Sequence, residues 1–350
     1  MIQGLAVPRS YDLFHQLSSQ WTDKHKVAIE TGAGKHYHYS DILAATSRFA
    51  HALVAGGVKP GDRVAAQVEK SPEALFLFLA CLRAGAAYLP LNTAYTEPEL
   101  DYFLRDSEPS VFVCRPGMSE AGALCERAGV PTLVTLGTDE DGTLPAHASG
   151  QPDVFEDVPR SADDLAAVLY TSGTTGRSKG AMLSHGNLTS NAAALAQAWR
   201  FTSNDVLLHA LPIYHTHGLF VATNVVLISG GSMLYLPKFD PNEIFRLLPR
   251  ATTMMGVPTF YVRLLDDARL TREATAQMRL FVSGSAPLLP DTHRGFLEKT
   301  GHSILERYGM TETGMNTSNP YEGERVPGTV GLPLPGVEVR IANPETGETL

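Results

Sequence analysis

The stretch Tyr170-Thr-Ser-Gly-Thr-Thr-Gly-Arg-Ser-Lys-Gly180 continues directly from the apolar run Ala166-Ala-Val-Leu169. A short apolar run that leads into small residues reads as a buried strand ending in a loop. Small residues let the backbone of that loop approach an anion, and its hydroxyls and successive amides can donate to phosphate oxygens. Arg177 and Lys179 add positive charge. A Gly/Ser/Thr loop is also an ordinary connection, but its place at a strand end, with two cations inside it, points to phosphate. A Walker A loop needs Gly immediately before the Lys and Ser or Thr after it. Lys179 stands between Ser178 and Gly180, so this loop is not of that kind.

Working outward, the same theme of strand, special turn and helix recurs. Arg63-Val-Ala-Ala-Gln-Val68 reads as a strand, residues 73–82 as a buried helix, and Tyr88-Leu-Pro-Leu91 as the next strand. Beyond the loop, strands are expected at 206–211, 232–236, 252–255 and 279–282, with helices at 217–228 and from Asp240-Pro241 to residue 248. Asp and Pro at that helix start supply an acceptor for free amides and a preset φ. The alternation predicts an α/β fold with parallel strands, whose ligands bind outside the strands' carboxyl ends. The pattern weakens between 117 and 159, which places a first βα-layered subdomain at 1–162 and a second, carrying the site motifs, at 163–325. Residues 326–350 read as the start of a small antiparallel β unit, with Val337-Glu-Val-Arg-Ile341 as an alternating strand and a hairpin turn in Asn343-Pro-Glu-Thr-Gly347.

Composition narrows the function classes. At 350 residues the chain exceeds the size at which one core stops growing. A net charge of -9 leaves no basic surface for nonspecific attraction to nucleic acid or an anionic membrane. Cys81, Cys114 and Cys125 are odd in number and lack paired spacing, which fits a reducing, cytoplasmic compartment. The first residues lack a basic start followed by an apolar stretch, so no secretory signal is expected, and the apolar run 219–228 is too short to span a bilayer. No repeat of fixed period is present.

His215 and His217 alternate in Leu211-Pro-Ile-Tyr-His-Thr-His-Gly218, yet no Cys, Asp or Glu accompanies them at ligand spacing, which argues against a dedicated metal pair. With the loop at 170–180, this segment, Ser283-Gly-Ser-Ala-Pro287 and Glu306-Arg-Tyr-Gly-Met-Thr-Glu312 stand in the order of the motifs of the adenylate-forming enzymes. Tyr39-Ser-Asp-Ile42 and Arg83-Ala-Gly-Ala-Ala-Tyr-Leu-Pro90 also look like that family's N-terminal motifs. Across essentially its whole length the chain therefore resembles the family that includes acyl-CoA synthetases, luciferases and peptide-synthetase adenylation domains.

The resemblance implies ATP and Mg²⁺. Thr171, Ser172, Gly173, Thr174, Thr175, Gly176 and Lys179 would contact the phosphates, and Gly284, Ser285, Ala286 and Pro287 would line the adenine and acyl sites. Glu306, Arg307, Tyr308, Gly309, Met310 and Thr311 would form the second nucleotide-binding strand, with Tyr308 stacking on the base and Thr311 touching phosphate. Glu312 and Thr171 would hold the magnesium ion, and His215 would lie beside the carboxylate being activated. Thr171, Lys179, His215 and Glu312 are thus the expected catalytic set. Taken singly, Tyr308 reads as a core aromatic and Glu312 as a solvated charge.

For the acid, Met254-Met-Gly-Val-Pro-Thr-Phe-Tyr-Val-Arg-Leu-Leu265 offers an apolar wall with one cation, Arg263. A guanidinium suits a second carboxylate. Equally, Arg263 could pair with Asp266 or Asp267 on its own helix. The segments around His215, Arg263 and Glu312 together resemble the malonyl-CoA synthetase branch. This implies malonate, with methylmalonate tolerated, held by Arg263 with Arg307 as a second candidate, in a pocket bounded by His215, Thr216, Ser285 and Met310. The implied reaction is attack of the carboxylate on the α-phosphorus of ATP, then displacement of AMP by coenzyme A. A ligase for another short or medium-chain acid and a noncatalytic nucleotide-binding module are the other readings. Family members continue past the equivalent of Leu350 into a further domain with a catalytic lysine, so the chain is expected to be the N-terminal part of such an enzyme and poorly active alone.

Overall fold

The computed structural model describes residues 12–171 and 177–350. Its strands are β1 (Val27–Thr31), β2 (His36–His38), β3 (Arg63–Gln67), β4 (Ala87–Pro90), β5 (Val111–Cys114), β6 (Thr132–Thr135), β7 (Leu165–Thr171), β8 (Lys179–Ser184), β9 (Val206–His209), β10 (Ser232–Tyr235), β11 (Thr253–Gly256), β12 (Leu280–Ser283), β13 (Leu305–Met310), β14 (Gly314–Ser318) and β15 (Leu332–Pro333). They form a six-stranded sheet in the order β6-β5-β3-β4-β7-β8 and a nine-stranded sheet in the order β15-β14-β13-β12-β11-β9-β10-β1-β2. The α/β class and the parallel central strands follow the sequence pattern.

Side-chain alternation explains the layering, because successive residues of a strand face opposite sides of its sheet. Val64 and Ala66 of β3 join the main core, whereas Ala65 joins a second cluster on the other face. Leu207 and Leu208 of β9 split in the same way. The main core unites both sheets with helices Tyr39–Ala55, Pro72–Arg83 and His185–Ala198. Helices Glu97–Ser107 and Ala121–Ala128 cover the far face of the smaller sheet, and Pro241–Leu247, Pro258–Leu265 and Pro290–Thr300 that of the larger. Every residue of Pro72–Arg83 is buried. Its start is fixed by Ser71, whose side chain accepts from the Ala74 amide, with Pro at the first turn.

Sheet membership cuts across the expected boundary at residue 162. Strands β7 and β8 belong to the smaller sheet, while β1 and β2 complete the edge of the larger one. Pattern along a chain reports local elements, not which sheet a strand joins. Strand β8 is antiparallel to β7, with Thr171 opposite Lys179, so Lys179 opens a strand of the same sheet. The helix expected at 217–228 opens as a π-helix, His217–Thr223, before α-helix Asn224–Ile228. An apolar run carries no signal that separates the two. Val337–Ile341 is not a strand: its alternation finds no ladder partner among the described residues, although Ala342 bridges Thr349 across the expected turn at Asn343.

Candidate functional site

The carboxyl end of β7, the start of β8, the segment after β9 and the turn from β13 into β14 converge on one cleft. An opening of about 710 Å³ is lined there by Thr171, Lys179, Tyr214, His215, Thr311 and Glu312, with Asn92 and Tyr95 on the side of the smaller sheet. The hairpin register sets Thr171 beside Lys179. Thr171 Oγ1 donates to Glu312 Oε1 at 3.1 Å, so two residues 141 positions apart meet as an all-oxygen pair. Ser172, Gly173, Thr174, Thr175 and Gly176 lie outside the described residues.

Another wall of the cleft is built by the segment after β9. Thr216 Oγ1 donates to Thr311 Oγ1 at 3.3 Å, tying this segment to the turn after β13. The His217 amide donates to His215 Nδ1 at 3.3 Å, which leaves the hydrogen of the neutral His215 ring on Nε2. Desolvation, reinforced by the charge of Arg307, holds His215 below the ordinary histidine range even though its ring edge is open to the cleft. His217 is fully enclosed; desolvation, then Arg307, then the neighbouring histidines, hold it well below that range. Its Nδ1 lies 3.2 Å from Ser285 Oγ. Ser285 itself has φ 70°, a left-handed conformation that a non-glycine residue adopts at a cost of about 1–3 kcal/mol and that clusters at ligand sites.

Arg307 is the site's dominant charge. The pairing of Ser283 with Glu306 brings β13 alongside the Gly284 turn. A Cβ on Gly284 would lie 2.4 Å from Arg307 Cζ, so the guanidinium occupies the space that only glycine leaves. Arg307 is 4 % exposed, and its Nε and Nη2 have no hydrogen-bond partner among the described residues. Burial lowers its pKa to about 10, which still leaves it charged at neutral pH. A buried cation without a counter-anion is strongly unfavourable in the isolated protein.

The remaining expected residues divide. Tyr308 and Met310 are exposed at 45 % each, open to a ligand instead of packed in the core. Gly309 permits the close return of β14, since its Cβ would meet Gly314 O at 2.3 Å. Glu306 is turned away from the cleft: its carboxylate accepts from the Gly328 amide at 3.0 Å, and burial raises its pKa. Arg263 is exposed, with its guanidinium 4.7 Å from the Phe239 ring centroid. It forms no ion pair with Asp266 or Asp267; Asp267 pairs with Arg269 at 2.7 Å. Asn92 and Tyr95 carry no motif signal and reach the cleft only through the fold, whereas Tyr214 stands inside the quoted segment 211–218.

A second opening of about 230 Å³ shares Thr311 and Glu312 with the first and is lined by Thr216, Asn187, Asn191 and Pro335 among others. His215 and Thr216, adjacent in sequence, therefore face different openings onto one centre. Among the described residues no three His, Cys, Asp or Glu side chains gather as a metal-binding group, and no helix is long and apolar enough to cross a membrane.

Comparison with known proteins adds three observations. Residues 16–350 match the family described as AMP-binding enzyme. The mouse (Mus musculus) mitochondrial malonate–CoA ligase ACSF3 is 39% identical over 287 residues, covering 75% of this chain and 48% of that protein. The chain thus spans about half the length of that relative. The crystal structure of ATP-bound MatB from Rhodopseudomonas palustris superposes with a TM-score of 0.95 at 60% identity, covering 97% of this chain and 68% of that one. A malonyl-CoA ligase in ternary product complex with methylmalonyl-CoA and AMP has a TM-score of 0.77 at 37% identity, covering 93% and 67%.

Proposed function

We propose, because the chain belongs to the AMP-binding enzyme family, that it carries the nucleotide- and acid-binding part of an AMP-forming acid–CoA ligase acting on malonate, with methylmalonate tolerated. The observation that carries the substrate reading is the buried Arg307 guanidinium, with two unpartnered nitrogens, packed at Gly284 and acting on His215 and His217. An arginine so placed lacks an anion, and the distal carboxylate of a small diacid supplies one bidentately. Arg263, which has no carboxylate partner of its own among the described residues, is the second cation available to that end of the acid.

The reacting carboxylate would sit at His215, whose neutral ring donates from Nε2 without adding a competing charge. The phosphates would lie against Thr171, Lys179 and Thr311, with the base on the exposed Tyr308 ring. Both reactants are anions, so the chain's work in the first step is alignment and charge stabilisation of an in-line displacement. Glu312 and Thr171 fit a magnesium ion: one carboxylate and one hydroxyl are an oxygen-only set, and such an ion takes its other ligands from phosphate and water. When bound there it would neutralise phosphate charge. The second opening onto Thr311 and Glu312 supports a two-step reaction, since coenzyme A can approach the adenylate from a side the nucleotide does not fill. The three free, buried cysteines Cys81, Cys114 and Cys125 support a cytoplasmic location.

The test is an acid panel of malonate, methylmalonate, acetate and butyrate, scored by ATP-dependent pyrophosphate release with the longer protein that contains this chain. Malonate should lead, and Arg307→Met and Arg263→Leu should each lower malonate turnover relative to butyrate. Acetate or butyrate processed as well as malonate by the unmodified protein, or proportional losses on both acids, would overturn the diacid assignment.

A further inference from the structure

A second buried cation lies outside the site as described so far. Lys70 immediately precedes the cap of helix Pro72–Arg83 and is buried with no ion-pair partner among the described residues. Its ammonium donates to His209 Nδ1 at 3.0 Å and to the His209 carbonyl at 2.9 Å, and it stands 4.3 Å from the centroid of the Tyr235 ring. His209 closes β9, immediately before the segment that carries His215 and His217. On the other side of its ring, Nε2 lies 3.1 Å from the Gly218 carbonyl and 3.1 Å from Thr223 Oγ1. Thr223 Oγ1 donates to the same carbonyl at 2.9 Å.

These distances fix a direction. The Gly218 carbonyl can only accept, so the ring hydrogen of His209 is on Nε2 and points to it; in the neutral ring Nδ1 is then the acceptor for Lys70. The Gly218 carbonyl is thus held by two donors from outside its own backbone ladder. The turn it belongs to is unusually tight: a Cβ on Gly218 would lie 1.9 Å from the Pro212 carbonyl oxygen, and the His215 carbonyl accepts from both the Gly218 and Leu219 amides. Pinning Gly218 therefore pins the loop 212–218, from which His215 faces the cleft and His217 reaches Ser285.

We propose that Lys70 and His209 are positioning residues that hold the acid-binding segment 215–218 in place, with Lys70 setting the ring tautomer through which His209 grips the Gly218 carbonyl. The pair spans the two halves of the molecule, because Lys70 follows β3 of the smaller sheet and His209 ends β9 of the larger. A merely space-filling lysine would be replaceable by methionine, which keeps the stem. A positioning lysine is not, since methionine gives Nδ1 no donor and frees the ring to turn its hydrogen away from Gly218. The effect on substrate rests on the malonate reading; the effect on the segment does not.

The experiment compares Lys70→Met, His209→Leu and His209→Gln in the longer protein, by steady-state kinetics and by amide hydrogen exchange of residues 217–223. Glutamine retains an amide donor for Gly218 and an acceptor for Lys70, so it should rescue. Lys70→Met and His209→Leu should raise the malonate KM about tenfold, the effect of leaving one buried carbonyl short of a donor, while the ATP KM stays within about twofold. Exchange at 217–223 should accelerate about tenfold in those two variants, with protection elsewhere unchanged. Unchanged protection at 217–223, or His209→Gln behaving like His209→Leu, would overturn the proposal. Should the unmodified protein turn over no diacid at all, the malonate reading falls by itself, and the exchange measurement still decides the positioning role.

Discussion

Two arginines, Arg83 and Arg307, are buried almost equally, at 5 % and 4 % exposure, in surroundings that could hardly differ more. Arg83 ends the buried helix with every arm engaged: Nε meets Asp157 at 2.5 Å, Nη1 reaches the Leu43 carbonyl, Thr46 and Ser47, and Nη2 donates to the Phe155 carbonyl. Arg307 has Nε and Nη2 without partners among the described residues. Burial alone does not separate a structural charge from a functional one; completeness of pairing does. A paired buried charge holds the fold together, whereas an unpaired one lowers stability and waits for a ligand that completes it.

That difference breaks most clearly under one substitution made at both places. Arg83→Met leaves Asp157 and four carbonyl or hydroxyl acceptors short of their donor, and should cost about 3 kcal/mol in urea unfolding. Pyrophosphate release by the fraction that folds should be nearly unchanged. A loss under 1 kcal/mol, on the order of a surface substitution, would mean that pairing at Arg83 contributes little.

Arg307→Met should act with the opposite sign on stability. Replacing an unpaired buried cation by an apolar side chain of similar length removes a desolvation cost, so unfolding should become harder by about 1–2 kcal/mol. The same change should lower kcat/KM for malonate about 100-fold, equivalent to about 2.7 kcal/mol of transition-state stabilisation. A variant that is less stable but fully active in its folded fraction would place Arg307 in the same class as Arg83.

The comparison sharpens with pH. His215 and His217 are held below their ordinary range by burial and then by Arg307, so the folded protein resists protonating them. The unfolded chain binds protons near pH 6.5 and the folded one only at lower pH, so stability is intact above that value and falls as the pH drops below it. Between pH 7.5 and 5.5 the two rings should therefore account for a measurable loss of stability, with His217 the larger contributor. In Arg307→Met the electrostatic part of the depression vanishes, and the acid-side loss should shrink; denaturation midpoints at the two pH values measure it. An identical slope in both proteins would leave desolvation as the only cause.

Much of this contrast was legible in the sequence, and the illegible part has a common cause. The strands at 63–68 and 279–282 and the helix start at Asp240-Pro241 follow from local pattern and are found where expected. Thr171 and Glu312 were expected together and do meet. The resemblance ranked Arg263 before Arg307, and only three-dimensional packing reveals which guanidinium is enclosed and unpaired. Glu306 sits inside a site motif, but its carboxylate binds the Gly328 amide, a contact 22 residues away that no spacing announces. The entry of β7 and β8 into the smaller sheet, and the π-helical turn at 217–223, depend likewise on long-range pairing.

The smallest effect carries the same reasoning from charge to aromatic surface. Tyr261 is buried, with its hydroxyl donating to the Val282 carbonyl at 2.6 Å, and its interactions are complete. Tyr308 is 45 % exposed at the rim of the nucleotide strand, an aromatic face with no covering partner in the ring contacts described. Tyr308→Leu keeps an apolar side chain on β13 while removing the flat ring on which a base can stack. Stability should therefore change by less than about 0.5 kcal/mol, as for other surface positions. The ATP KM should rise about threefold, a stacking contribution of roughly 0.7 kcal/mol, with the malonate KM unaltered. A drop in stability without any change in the ATP KM would make Tyr308 a packing residue like Tyr261, and would remove the base from that face of the cleft.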